Sequence, residues 1–176
     1  VAIGSNALYA LTSGAGNVAV GYQALAEHTT GANCIAIGHG AMNETAGTSA
    51  STSGNNIAIG TNSMGGDWAD TGSEGNVAIG NDTLSAVLAG VQTSIAIGHS
   101  ALAAATSGDS NIAVGYQALQ EHTEGSRNLA IGYQAMYNTW DGSADDTIES
   151  INNIAIGYQA LGGNWTNSDA DNADYN

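Results

Sequence analysis

Asn111-Ile112-Ala113-Val114-Gly115-Tyr116-Gln117-Ala118-Leu119 is followed seventeen residues later by Asn128-Leu129-Ala130-Ile131-Gly132-Tyr133-Gln134-Ala135-Met136. The same pattern occurs nine times, with its glycine at positions 4, 21, 38, 60, 80, 98, 115, 132 and 157. The spacings are 17, 17, 22, 20, 18, 17, 17 and 25, and the added residues always fall between the Leu or Met and the next copy. Fixed self-similarity on this scale marks a stacked repeat architecture, in which one unit cannot bury its apolar face alone.

Each position of the repeat has a physical reading. The residues three before and one before the glycine are Val, Ile or Leu, with Ala between them. That is period-two alternation rich in β-branched side chains, the signature of a short strand. The glycine ends the strand at a bend or a close backbone approach. Leu or Met four residues on is expected to return to the core from a second short strand. On this reading the two large strand residues also point into the core, and the alanine points away from it. Asn17, Asn56, Asn76, Asn111, Asn128 and Asn153 are placed to stack as an internal amide ladder, with Cys34 in the same position as a buried, inert thiol. Tyr22, Tyr116, Tyr133 and Tyr158, with His39 and His99 replacing Tyr in two copies, are expected to form an outward ring ladder, and Gln23, Gln117, Gln134 and Gln159 come directly after the four tyrosines. His28 and His122 recur in equivalent Glu-His-Thr turns.

A unit of 17 residues suits two short strands and two turns, and is too short for a strand-plus-helix repeat. The expected fold is therefore all-β: a parallel β-solenoid of nine coils of about 17 residues or more, roughly 40 Å long at the strand spacing. Residues 1–161 form the repeat domain, and 162–176 an acidic polar tail or linker. Ala19, Ala36, Ala58, Ala78, Ala96, Ala113, Ala130 and Ala155 would then make a smooth outer stripe, read as the interface of a homo-oligomer, a trimer by preference.

Composition narrows the functions. One basic residue, Arg127, faces 16 acidic ones, for a net charge of −15. Such a chain does not displace counterions from a phosphate backbone, so nucleic acid is not an expected partner. It is equally unsuited to an anionic membrane surface. The single Cys34 makes no intrachain disulfide, and no apolar run is long enough to span a bilayer. The sequence opens inside a strand at Val1, and the expectation is a segment of something longer.

These repeats resemble the head repeats of trimeric autotransporter adhesins, the YadA-type head. Asn56-Ile57-Ala58-Ile59-Gly60 and its eight counterparts carry the resemblance, and copies ending Gly-Tyr-Gln-Ala-Leu are similar to phage tail-fibre repeats. The resemblance implies a left-handed β-roll with three chains around one axis, on a cell or virion surface, where it binds a ligand. The coils here are longer than is usual for that family, and no stalk, neck or anchor segment accompanies them.

Binding residues are sought first in the inserts, since loops on a rigid scaffold commonly carry recognition. The inserts span 43–55, 65–75, 85–93 and 137–152. Trp68 and Trp140, with Asp67 and Asp70, offer ring stacking and hydrogen bonds to a sugar or a protein receptor. The plainer reading is that each Trp caps the thin core beneath its loop. Asp141, Asp145 and Asp146 could supply oxygen ligands to Ca²⁺, although solvated acidic loops account for them as well, and no cofactor is expected. Neither a nucleophile–base pairing nor a zinc-ligand spacing stands out, so the chain is not read as an enzyme. The function expected is a structural and adhesive segment of an extracellular fibre. The alternative is a self-assembling filament subunit without a specific ligand.

Overall fold

The computed structural model describes residues 1–43, 53–66, 72–86, 90–138 and 151–162. Among them every strand belongs to one parallel sheet, in the order β1(Ala2–Ile3), β2(Val18–Val20), β3(Ile35–Ile37), β4(Ile57–Ile59), β5(Val77–Ile79), β6(Ile95–Ile97), β7(Ile112–Val114), β8(Leu129–Ile131) and β9(Ile154–Ile156). Sequence order equals spatial order, so the chain advances by one strand per turn and builds a β-solenoid. The register joins like to like: Ala19 pairs with Ala36, Ala36 with Ala58, and so on to Ala130 with Ala155. The register is the same across the longer spacings: Ala36 pairs with Ala58, Ala58 with Ala78, Ala78 with Ala96 and Ala130 with Ala155.

The strands are only three residues long, two for β1, because a glycine ends each one. Gly4, Gly21, Gly38, Gly60, Gly80, Gly98, Gly115, Gly132 and Gly157 have φ between 122° and 141°, a region that side chains other than hydrogen rarely enter. Each but Gly157 also lies against the backbone of its counterpart in the following coil. A Cβ on Gly80 would stand 2.7 Å from the Gly98 carbonyl oxygen. The glycine column thus answers both expectations for it, a bend and a close approach.

The segment after each glycine is not a second strand. Residues two and four beyond the glycine both adopt positive φ: Gln117 at 56° and Leu119 at 51°, Gln134 at 52° and Met136 at 51°. Alternating hands curl the chain yet keep its peptide groups aimed along the solenoid axis. Gln117 N–H donates to the His99 carbonyl of the preceding coil (2.9 Å), and Leu119 N–H donates to the Ala135 carbonyl of the following one (3.0 Å). This curled segment satisfies its backbone between coils as a strand would. Leu25, Met42, Met64, Leu84, Leu102, Leu119 and Met136 enter the core from it and are fully buried, as expected of that column.

The orientation of the strand is the reverse of the sequence expectation. Ala19, Ala36, Ala58, Ala78, Ala96 and Ala113, with Ala130 and Ala155, line the chain's own interior and are buried to within 2%. They are not an outer stripe and cannot be a surface for another copy. Volume is the reason. Into a coil of 17 residues already come the Leu or Met and, from the residue before it, a buried Ala, Ser or Thr (Ala24, Ala41, Ser63, Thr83, Ala101, Ala118, Ala135). Opposite that layer there is room for a methyl group and none for two β-branched side chains. The larger residues therefore face outward, at intermediate or full exposure along the whole sheet.

Inside the turn that precedes each strand runs the amide ladder. Asn76 N–H donates to Asn56 Oδ1, Ser94 N–H to Asn76 Oδ1, Asn128 N–H to Asn111 Oδ1 and Asn153 N–H to Asn128 Oδ1, all at 2.9–3.0 Å. The amide nitrogens reach across the coil, Asn56 Nδ2 to Ser73 O and Asn111 Nδ2 to Gly125 O, each at 2.8 Å. The side chains thereby tie each coil to its neighbour and to itself.

Candidate interaction surfaces

Three columns reach the surface of the described coils. The first is the outer sheet face, two rows of Val, Ile and Leu either side of the buried alanines. Ile37, Ile79, Ile97 and Ile131 keep 36–38% of their surface in the folded chain. No charged residue stands among the strand residues β1 to β9. This face is regular and apolar over a length of about 38 Å, eight steps of the strand spacing.

The second column lies just past the glycines. Tyr22 stacks on His39 at 5.1 Å between ring centroids. Farther along, His99, Tyr116, Tyr133 and Tyr158 form a continuous four-ring stack with separations of 5.5, 5.2 and 5.2 Å. The expected ring ladder is thus present in two pieces, interrupted where Thr61 and Asn81 take its place. Beside it the glutamines form a ladder of their own: Gln159 Nε2 donates to Gln134 Oε1 (2.9 Å), and Gln134 Nε2 to Gln117 Oε1 (2.8 Å). His99 also has Nδ1 2.8 Å from Ser100 Oγ and Nε2 3.9 Å from Asp82 Oδ2, a half-exposed pairing at the start of the stack.

The third column is the corner that the inserts share. Asn43 and Ser53, Gly66 and Gly72, Ala86 and Gly90, and Asn138 and Ile151 flank the undescribed segments. All four pairs lie between the Leu or Met column and the residue before the next strand, so every insert opens from one edge of the solenoid. Trp68, Trp140, Asp67 and Asp70, and the Ca²⁺ candidates Asp141, Asp145 and Asp146, lie outside the described residues. Among the described residues no group of three or more His, Cys, Asp or Glu is placed to hold a metal ion, and no helix is long and apolar enough to cross a membrane.

Titratable groups inside the solenoid were only partly legible in the sequence. His28 and His122 are buried in equivalent turns, ahead of β3 and β8, five strands apart. Burial pushes the His122 imidazole down to about 4, against a smaller opposing effect of its hydrogen bond with the Gly125 backbone. His28 is lowered for the same reason, opposed by Gly31. Asn128 Nδ2 lies 3.3 Å from His122 Nε2, and an amide nitrogen can only donate, so the contact suits a neutral ring. The Glu-His-Thr repetition identified the pair as equivalent, but not as core residues, because His is ordinarily intermediate in burial. Cys34 is buried as expected, and burial raises its thiol, with the Asn56 and Asn55 N–H groups opposing.

No known protein family, curated protein or solved structure matches this chain.

Proposed function

We propose that this chain is a structural and adhesive segment of an extracellular fibre: a left-handed β-roll of nine coils, three chains to the rod, carried on a cell or virion surface. The observation that carries the reading is the outer sheet face. A solenoid that folds as a single chain still leaves two uninterrupted rows of Val, Ile and Leu at its surface, including Ile37, Ile79, Ile97 and Ile131. The occupant that suits such a face is another copy of it. Both surfaces then share one coil spacing, both are free of charge, and the acidic corners of the chains stay apart. Three copies around one axis shield all three faces together.

A rod of this kind has a stiff scaffold and variable corners. The inserts open from one edge, which three-fold assembly repeats around the rod, so weak recognition of a surface glycan or protein receptor is multiplied by display. The test is native mass in solution at micromolar and nanomolar protein. A persistent trimer is the expected result. A stable monomer overturns the assembly. Open-ended polymers favour the filament subunit instead.

A further inference from the structure

The ring stack and the glutamine ladder together form a strip whose chemistry is not used by the fold. In the stack His99–Tyr116–Tyr133–Tyr158 the ring planes differ by 21°, 10° and 7°, so the faces cover one another along the axis and the edges point outward. Tyr116 and Tyr133 remain 43% exposed and Tyr158 72%. Among the described residues no group hydrogen-bonds to the three phenol hydroxyls. Gln117 spends one oxygen lone pair on the ladder, Gln159 one N–H and Gln134 one of each, which leaves every amide with a further N–H and a further lone pair. From β7 to β9 the strip offers one phenol and one amide per coil, repeated every 5.2 Å between rings, with His99 continuing it to β6.

We propose that this strip binds an extended β-linked hexopyranose polymer lying along the solenoid axis, one sugar per coil. Period decides against a peptide strand. Its same-face side chains recur every two residues, about 6.6 Å apart, and fall about half a period out of step within two coils. The net charge of −15 disfavours polyanions. A β-1,4-linked chain advances by about one coil height per sugar, while its alternating orientation presents first a hydroxymethyl edge and then a secondary hydroxyl edge. A phenol and an amide both donate and accept, so the same pair serves either edge. Each contact is weak in water, and affinity accumulates with the number of sugars in register.

This inference deepens the glycan part of the fibre reading and does not use the inserts. The experiment titrates the intact chain with cello-oligosaccharides of two to six glucose units by calorimetry, with malto-oligosaccharides of equal length as comparison. Expected is an affinity that rises to about four units and then levels, at least ten-fold above the α-linked series. The double variant Tyr116→Ser, Tyr133→Thr should lose at least ten-fold. Its fold is expected to persist, because Ser5 and Thr61 already occupy that column, and its melting curve checks this. Equal binding of both sugar series, equal binding by a folded double variant, or no binding by the unaltered chain overturns the strip. Native mass is read on the same samples. A trimer that binds no sugar removes the strip alone, and a monomer that binds it removes the trimer alone.

Discussion

Gly115 and Gly132 meet backbone to backbone: a Cβ on Gly115 would collide with the Gly132 carbonyl oxygen, and both residues hold φ near 140°. Every coil boundary repeats this contact, so the glycine column sets how closely the coils stack. Gly115→Ala must therefore strain φ and push two coils apart. The expected loss is about 3 kcal/mol or more by urea unfolding. Gly157→Ala is the comparison, since the nearest described atom to its Cβ is Ala160 Cβ at 3.9 Å. It should cost clearly less, about 1–2 kcal/mol from φ alone. Equal losses at the two sites would show that the close approach contributes nothing.

Cys34 interrupts the amide ladder. Asn17 Oδ1 accepts the Cys34 N–H at 2.9 Å, but a sulfur meets the Asn56 N–H where the asparagine coils present an amide oxygen and the Ser94 coil a hydroxyl. Cys34→Asn should extend the ladder through this coil and stabilise by about 1 kcal/mol. The thiol itself is expected to resist alkylation at pH 8 until the chain unfolds, because burial raises it. Rapid labelling of the native protein would contradict its placement.

Legibility of the sequence tracks these same positions. The amide and ring ladders were readable because a stacked repeat brings identical side chains together whatever the path of the coil. The strand was readable from Val, Ala and Ile in alternation. Its facing was not, since alternation separates two faces without saying which is inner. A volume argument would have helped: two β-branched residues and a Leu overfill a 17-residue coil. The curled turn was hidden for another reason. Leu119 and Met136 at positive φ contradict ordinary preferences, and inter-coil hydrogen bonds such as those of Gln117 and Leu119, together with burial of the Leu and Met side chains, hold that conformation. The insert residues offered composition without register, so Trp68 and Trp140 had no positional argument behind them.

Thr93 occupies a column whose other members are Gly16, Asn33, Asn55, Gly75, Ser110, Arg127 and Asn152, all at positive φ. It is the one β-branched residue there, at φ 52°, where its side chain crowds the backbone. Thr93→Asn should raise stability by about 0.5–1 kcal/mol. It gives up the 3.1 Å contact with Ser110 Oγ, but Asn33 and Asn55 show an amide pairing that the column accepts. A lower melting temperature would mean that the hydroxyl pair outweighs the backbone strain.

His122 links stability to pH. Its folded-state value of about 4 lies below the ordinary 6.5, so the unfolded chain takes up the proton first as pH falls. The contribution is whole above pH 6.5, erodes between 6.5 and about 4, and is lost below that. The loss is about 3 kcal/mol across the interval. His28 acts with the same sign. Unfolding by urea from pH 7.5 to 4 should show the decline, and His122→Gln should flatten it relative to the unaltered chain. Comparing the two chains cancels the common effect of the carboxylates. An unchanged slope would place His122 in water.

Ala96 and Ile97 are neighbours on β6 with opposite surroundings, the alanine sealed in the core and the isoleucine 36% exposed. They separate folding from assembly. Ala96→Leu adds three carbons to a layer already filled by Leu84, Ala101 and Leu102, and should cost about 2–3 kcal/mol or unfold the coil. Ile97→Asp places a charge on the outer face, where a lone chain can hydrate it. Its circular dichroism should match the unaltered protein. Where the outer faces pack together, three such carboxylates would approach one axis without counter-charge, and native mass should fall to the monomer. A trimer that survives Ile97→Asp and Ile131→Asp together would exclude the outer sheet face as the interface, and the third column, the corner of the inserts, would be the surface to test next.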